Sequence, residues 1–214
     1  MKRTSLIAIL ALMASITMGQ NQKYIEKMGE TIQMFGSCNS PSDFQELANR
    51  FHVIANAETG EWLPLYYEAH CYILMSFMEQ SGKELRDAYL DKASGSIEKM
   101  LELAPGEAEV YVMKAFYHTG YLVIDPTQRA MSTTPQIQAA LARALQIEPD
   151  NPRARFLQIS NELGTATFFG SDTAPICEKA RKLLETWDTY QLQSPIHPGW
   201  GKSETQGIVD SCGQ

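Results

Sequence analysis

One helix-ending turn occurs twice in the chain, and this repetition constrains the fold more than any other feature. "MLELAPGEAEV" (100–110) and "ALQIEPDNPRA" (144–154) each run from an apolar helix end through a proline into a new helix start. Pro105 and Pro149 are 44 residues apart, and Pro195 follows 46 residues later. A period of this length is typical of proteins built from stacked supersecondary units.

Helical periodicity surrounds each turn. The apolar stripes before the two turns are Ala93, Ile97, Met100 and Leu101, and Ile137, Leu141, Ala144 and Leu145. Spacings of i, i+4, i+7 and i+8 place each set on one face of an α-helix. Thr134 with Pro135, and Asn151 with Pro152, are typical helix starts. We therefore predict helices at about 23–35, 41–57, 61–79, 86–103, 107–121, 133–147, 151–165 and 174–190. No segment alternates with period two, so the predicted fold is all-α, with four antiparallel hairpins.

The turn at 144–154 resembles the helix end and inter-repeat turn of the tetratricopeptide repeat family, and "DKASGSIEKMLELAP" (91–105) is similar to its second helix. HEAT-type repeats have a period nearer 45 residues but do not normally show this proline turn. The family period is 34 residues, so we expect the additional residues to form loops within the hairpins, in "EQSGKELRDAY" and "TGYLVIDPTQRAMSTT". The resemblance implies a right-handed superhelical solenoid of about four hairpins.

The chain begins with the order of a secretory signal peptide. Lys2 and Arg3 precede an apolar run from Leu6 to Met13, and small or polar residues follow through Gly19. The run is shorter than the roughly 20 residues that a membrane-spanning helix needs. We predict a signal peptide at 1–19 and an exported, periplasmic or secreted protein with no transmembrane segment in the mature chain. The remainder divides into an N-terminal hairpin at 20–60, repeats at 61–190 and a capping tail at 191–214.

Charge and motif content exclude several functions. The net charge is −7, and it becomes −9 without the signal peptide, which disfavours nucleic acid as a partner. The cysteines and histidines lack metal-ligand spacing, and His70 and the adjacent Cys71 point about 100° apart on a helix. No phosphate-binding loop or nucleophile motif is present in the sequence. We therefore predict a protein that is not an enzyme and has no cofactor or metal, whereas the oligomeric state stays open.

Four cysteines in an oxidising compartment allow three pairings. Cys38 lies near a hairpin end and Cys71 within a helical pattern, where a free buried thiol is common. We predict a disulfide between Cys177 and Cys212, because a tail with few helix-forming residues needs a covalent tether.

Binding is the remaining function. In the resembling family the first helices of the pairs line a concave groove, and the resemblance places Tyr66, His70, Val112, Phe116, Arg153 and Phe156 there. Such an apolar groove suits a peptide or a partner helix. The first hypothesis is therefore a scaffold that binds a protein or peptide partner of unknown identity. The alternative is a solute-binding accessory of an envelope transport system, which would need a closed pocket.

Two further segments have competing interpretations. The predicted loop "GTATFFGSDT" (164–173) is a candidate binding loop through Phe168 and Phe169, but both rings could instead pack under the hairpin end. In the tail, His197, Trp200 and Lys202 are candidate site residues. The favoured interpretation is that Ile196, Trp200, Ile208 and Val209 cover the apolar flank of the last helix.

Overall fold

The structure, a computed structural model, describes residues 22–212, and every regular element in this range is helical. The elements are α1 (22–33) with a following 3-10 turn (Met34–Ser37), α2 (Pro41–Ala57), α3 (Leu63–Met78), α4 (Lys83–Leu103), α5 (Ala108–Ile124), α6 (Pro126–Ile147), α7 (Pro152–Phe169), α8 (Ala174–Trp187) and α9 (Lys202–Ser211). The all-α prediction is confirmed for this range. The predicted signal peptide at 1–19 lies outside the described residues.

Several helix starts follow the predicted capping chemistry. Ser40 and Asp43 form a reciprocal capping box at α2, and the Asn151 side chain accepts a hydrogen bond from the Ala154 N–H at the start of α7. Between residues 22 and 212, none of the helices combines the length and apolarity that a bilayer-spanning segment needs.

The predicted loops within the hairpins are wrong. α6 begins at Pro126 rather than at 133, because the Asp125 side chain accepts a hydrogen bond from the Gln128 N–H and caps the helix there. Pro135 therefore lies inside α6, where it removes a hydrogen bond to the Met131 carbonyl. Met131 is 93 % exposed, so water can satisfy that carbonyl.

In the other two predicted loops, too, the helices extend further than expected. α4 begins at Lys83, so only Glu79 to Gly82 of the first predicted loop are outside a helix. α7 continues through Phe169 and ends at Gly170, whose φ of +64° is the left-handed helix terminus that glycine favours. The residues beyond the 34-residue family period thus mainly lengthen helices.

The helices pack around two adjoining apolar clusters. The first is formed mainly by α2, α3, α4 and α5, and the second by α5, α6, α7 and α8. Phe116 packs against both clusters, so α5 joins the two halves of the core. Besides contacting their neighbours in the chain, α3 contacts α5, and α5 contacts α7.

The C-terminal segment has more regular structure than the sequence indicated, since its last part forms α9. Cys177 of α8 and Cys212, directly after α9, are joined by a disulfide, which is the expected pairing. Cys38 and Cys71 are free, and Cys71 is fully buried.

Candidate functional site

Three aromatic rings from distant parts of the chain lie one after another. Phe77 at the end of α3 lies 5.4 Å from Phe116 of α5, and Phe116 lies 5.3 Å from Trp200 of the tail, measured between ring centroids. The Phe116 and Trp200 rings are stacked at an interplanar angle of 26°. Phe77 is 36 % exposed, and the other two are half-buried. We call these three residues the aromatic row; it is partly open to solvent.

His70 forms the floor of the aromatic row. Its ring lies 5.1 Å from Trp200 and 5.8 Å from Phe116, and Phe35 and Tyr66 surround it on other sides. Burial lowers the pKa of His70 to about 3, so the imidazole is neutral at physiological pH. Its Nδ1 has no hydrogen-bond partner among residues 22–212. His70 is thus a buried, uncharged group beneath the row.

The tail is fastened across the first helices of the packed pairs. Trp200 Nε1 donates a hydrogen bond to the Tyr66 hydroxyl at 2.8 Å, and the Tyr67 hydroxyl donates to the Ile196 carbonyl at 2.9 Å. Ile196 is 3 % exposed and belongs to the first core cluster. The His197 ring packs edge-on against Trp62, with centroids 5.8 Å apart. The tail therefore runs from α8 back to α3.

The tail was interpreted either as a cap on the last helix or as part of a binding site, and the structure contains features of both. Trp200, Ile208 and Val209 pack against the second cluster, which includes α8, as the capping interpretation predicts. Ile196 instead packs in the first cluster. Trp200 also enters the candidate site, so one residue serves both as a cap and as a site component.

Gly201 allows the backbone to turn sharply next to Trp200. Its φ is +108°, and a Cβ at this position would lie 2.8 Å from a ring carbon of Trp187. The ring belongs to a buried side chain of the core, so it cannot move aside freely. Glycine is therefore required both by the backbone conformation and by the space available.

We expect Gly201→Ala to lower the free energy of unfolding by about 2 kcal/mol or more, because it adds backbone strain to overpacking. Urea unfolding monitored by circular dichroism measures this change. Gly164→Ala is the control, since Gly164 lies within α7 and a Cβ there meets no atom within 4 Å. An equal effect of both substitutions on stability would contradict the conclusion that position 201 requires glycine.

A buried ion pair lies behind the site. Arg153 Nη2 and Glu109 Oε1 are 2.7 Å apart, and the two residues are 1 % and 3 % exposed. Burial alone would lower the pKa of Arg153, but the Glu109 carboxylate raises it above its ordinary value. Glu109 also accepts hydrogen bonds from the Tyr66 hydroxyl at 3.1 Å and from the Asn151 amide at 2.6 Å. This network connects α3, α5 and the start of α7 directly beneath the tail.

Most of the predicted groove residues do not reach the surface. The buried ones are Tyr66, His70, Val112, Arg153 and Phe156. Trp200 of the tail packs against Tyr66, His70 and Phe156, and Val112 belongs to the second core cluster, which no local pattern indicates. Phe116 remains half-buried as the middle of the aromatic row.

Phe168 and Phe169 lie on the last turn of α7, not on a loop. They are 64 % and 73 % exposed, so the alternative in which both rings pack under the hairpin end is also wrong. The two rings pack edge-on against each other, with centroids 5.1 Å apart. They are separate from the aromatic row.

Sequence reasoning missed Phe77. This residue is four positions after Ile73 and seven after His70, so it continues the same helical stripe. Extending the stripe to the end of α3 would have identified it. Trp200, in contrast, lies at a long distance in sequence from its ring partners, and only the fold brings it to them.

Neither the protein-family models nor the curated proteins contain a match to this chain. Among solved structures, the chain is similar to the HusA haemophore from Porphyromonas gingivalis, with a TM-score of 0.75 and 25 % sequence identity. The similarity covers 87 % of this chain and 90 % of that chain, so it extends over nearly all of both proteins.

Proposed function

We propose that this chain is an exported, non-enzymatic ligand-binding protein, and that its ligand is a planar, largely apolar macrocycle of the haem type. The observation that carries the proposal is the aromatic row of Phe77, Phe116 and Trp200, three adjoining rings that are partly open to solvent. The similarity to a haemophore over nearly the full length of both chains supports it.

The row fits the face of a porphyrin. Aromatic rings stack on flat ring systems in offset or edge-on arrangements, and ligand sites are typically apolar with a few polar groups. His70, the imidazole in contact with the aromatic row, lies beneath Phe116 and Trp200 and is 6 % exposed. We therefore infer that the macrocycle itself provides the main contact, and that ligation of its iron is not required for binding.

A tetratricopeptide-like array is the architecture we infer for this binding site. The packed neighbours α3 and α4, and α5 and α6, are joined by short connections, while α5 contacts both α3 and α7. This arrangement supports a right-handed superhelix with its first helices on the concave side, where the tail lies. A peptide or protein bound at that concave surface is the second candidate, favoured by its apolar character. It is disfavoured because Trp200 of the tail already contacts Tyr66, His70 and Phe156, which would otherwise contact the partner.

Export is part of the same proposal. A disulfide between Cys177 and Cys212 suits an oxidising compartment, and the similar protein is a haemophore. A periplasmic or secreted location is therefore the one we propose.

We expect residues 20–214 to bind haemin, with changes in the Soret absorbance and quenching of Trp200 fluorescence. Iron-free protoporphyrin should bind with an affinity within about tenfold of haemin, because the rings contact the macrocycle. Phe77→Ala and Phe116→Leu should each weaken binding about tenfold, since an aromatic contact contributes on the order of 1–2 kcal/mol. Phe116→Leu retains apolar volume, and Phe77 is partly exposed, so both variants should remain folded.

Phe168→Ala is the matched control, because it removes an exposed ring outside the aromatic row. It should bind haemin like the wild type. Wild-type haemin affinity in both variants of the aromatic row would contradict the assignment of haemin binding to this row. Equal weakening of haemin binding in the control would contradict it as well. Binding of haemin but not of iron-free protoporphyrin would show that the iron is the recognised group.

A further inference from the structure

Exposed large apolar side chains are concentrated at one edge of the molecule. Ten such residues occur in the described part of the chain, and three of them, Val53, Leu103 and Leu192, lie elsewhere. The other seven lie where α3, α5 and α7 end or where α4 and α6 begin: Phe77, Leu85, Tyr121, Val123, Met131, Phe168 and Phe169. We call these seven residues the apolar rim. Concentrated exposed apolar surface is typical of an interaction site.

Contacts between successive turns hold the rim together. Lys83, at the start of α4, forms an ion pair with Asp125, which lies between α5 and α6. Arg129 of α6 binds Asp87 of α4 at 2.6 Å and stacks over the Tyr121 ring at 4.0 Å. The rim is therefore one edge formed by neighbouring turns.

A cleft of about 500 Å³ adjoins the rim at Phe169. Its apolar lining consists of Leu122, Ile137, Leu141, Ala166, Phe169 and Ile176. The remaining lining is polar, and its one charged residue, Glu162, forms an ion pair with Lys179 at 2.6 Å, so the cleft itself carries no uncompensated charge. A cleft of this kind can receive an apolar anchor side chain of a partner, the usual centre of a protein interface.

The charges at the rim favour a basic partner. Lys83 and Arg129 are paired with Asp125 and Asp87, whereas Arg86, whose Nε donates to the Ser76 carbonyl at 2.8 Å, forms no ion pair within residues 22–212. Glu79 and Asp172 accept hydrogen bonds from backbone N–H groups of nearby residues. In the described part of the chain, neither these carboxylates nor Glu84 forms an ion pair. Three unpaired carboxylates against one unpaired cation give the rim a net negative charge among its exposed apolar groups.

We propose that the apolar rim and its cleft are a docking surface for a protein segment that presents apolar side chains flanked by lysine or arginine. A second copy of the chain would place carboxylates against carboxylates, and an anionic lipid surface would be repelled in the same way. A neutral bilayer would require the carboxylates to lose water as the rings insert. The rim shares Phe77 with the aromatic row, but its cleft is lined by other residues, and the proposal does not depend on what the row binds.

The test uses residues 20–214 and a fluorescently labelled amphipathic peptide of leucine and lysine, compared with a peptide in which glutamate replaces lysine. Fluorescence anisotropy near physiological ionic strength should show at least about tenfold tighter binding of the lysine peptide. Phe169→Ser should weaken that binding about tenfold, as expected for an anchor contact, and Glu84→Gln with Asp172→Asn should reduce the preference for lysine.

Leu103→Ser and Glu102→Gln are the controls, since both residues lie at the opposite end of α4. They should bind the lysine peptide like the wild type, which separates the rim from the general negative charge of the chain. Equal weakening by the control variants, or none by Phe169→Ser, would overturn the proposal. Self-association in sedimentation would also overturn the proposal if Phe169→Ser abolished that self-association. Binding to phosphatidylcholine vesicles would overturn it in the same way if this variant abolished the binding.

Measuring haemin binding beside peptide binding separates a failure of the docking surface from a failure of the haemin site. Phe169→Ser should leave haemin affinity unchanged, because Phe169 lies outside the aromatic row, and Phe116→Leu should leave peptide binding unchanged. Either activity can therefore fail without the other.

Discussion

Replacing Glu109 by glutamine is expected to lower the free energy of unfolding by about 3–5 kcal/mol, because it leaves the Arg153 guanidinium buried without its counter-charge. Arg153 is 1 % exposed, and its ion pair with Glu109 is 2.7 Å long. Glutamine retains the size of the side chain, so the loss reports charge rather than volume. Guanidinium chloride unfolding measures it.

Two further variants test the cause of this loss. Glu109→Met combined with Arg153→Met removes both charges and should recover much of the stability, since apolar replacement of a whole buried pair is often neutral. Glu46→Gln removes one partner of the exposed pair with Arg50 and should change stability by less than about 1 kcal/mol. A loss below about 1 kcal/mol for Glu109→Gln would show that water reaches Arg153 in solution.

Removing the disulfide should have the second-largest effect. Cys177 and Cys212 are 35 residues apart, and closing a loop of this size stabilises the folded state by about 3–4 kcal/mol in the chain-entropy model. We expect Cys177→Ala with Cys212→Ala to lose this amount, measured by urea unfolding. Amide hydrogen exchange should also accelerate first in α9 and the tail around Trp200, because these segments lose their covalent tether.

Cys38→Ala is the control, because Cys38 is a free, half-buried cysteine outside the tail. Its effect should be small, and it should leave α9 protected from exchange. If the double variant exchanges evenly over the whole chain, the disulfide does not act on the tail specifically.

The local sequence predicted much of the helical framework. Apolar stripes such as Ala93, Ile97 and Met100 are buried on one helix face, as their spacing indicates. The Asn151 cap was also correct, since its side chain bonds to the backbone three residues later. Helix bounds were less predictable where the sequence contains two possible helix starts. Asp125 with Pro126 begins α6 before Thr134 with Pro135 is reached. The ion pair between Arg129 and Asp87 of α4 stabilises this longer helix.

The candidate site was only partly predictable. Tyr66, His70 and Phe156 were assigned to a groove from their positions on first helices, but the tail buries them. Trp200 is 134 residues from Tyr66, to which its indole N–H donates, and nothing in the spacing of the sequence links the two. The partial exposure of Phe77 and Phe116 likewise depends on how far the tail extends over them.

By itself, the sequence determined where most of the helices lie, which faces of them are apolar and how some of their ends are capped, because these depend on contacts within a few residues. The tertiary structure alone decided that Trp200 completes an aromatic row with Phe77 and Phe116, that Glu109 neutralises Arg153, and that apolar helix ends collect along one edge. Those features depend on packing between segments distant in sequence, and burial there sets both the exposure and the charge state of each side chain.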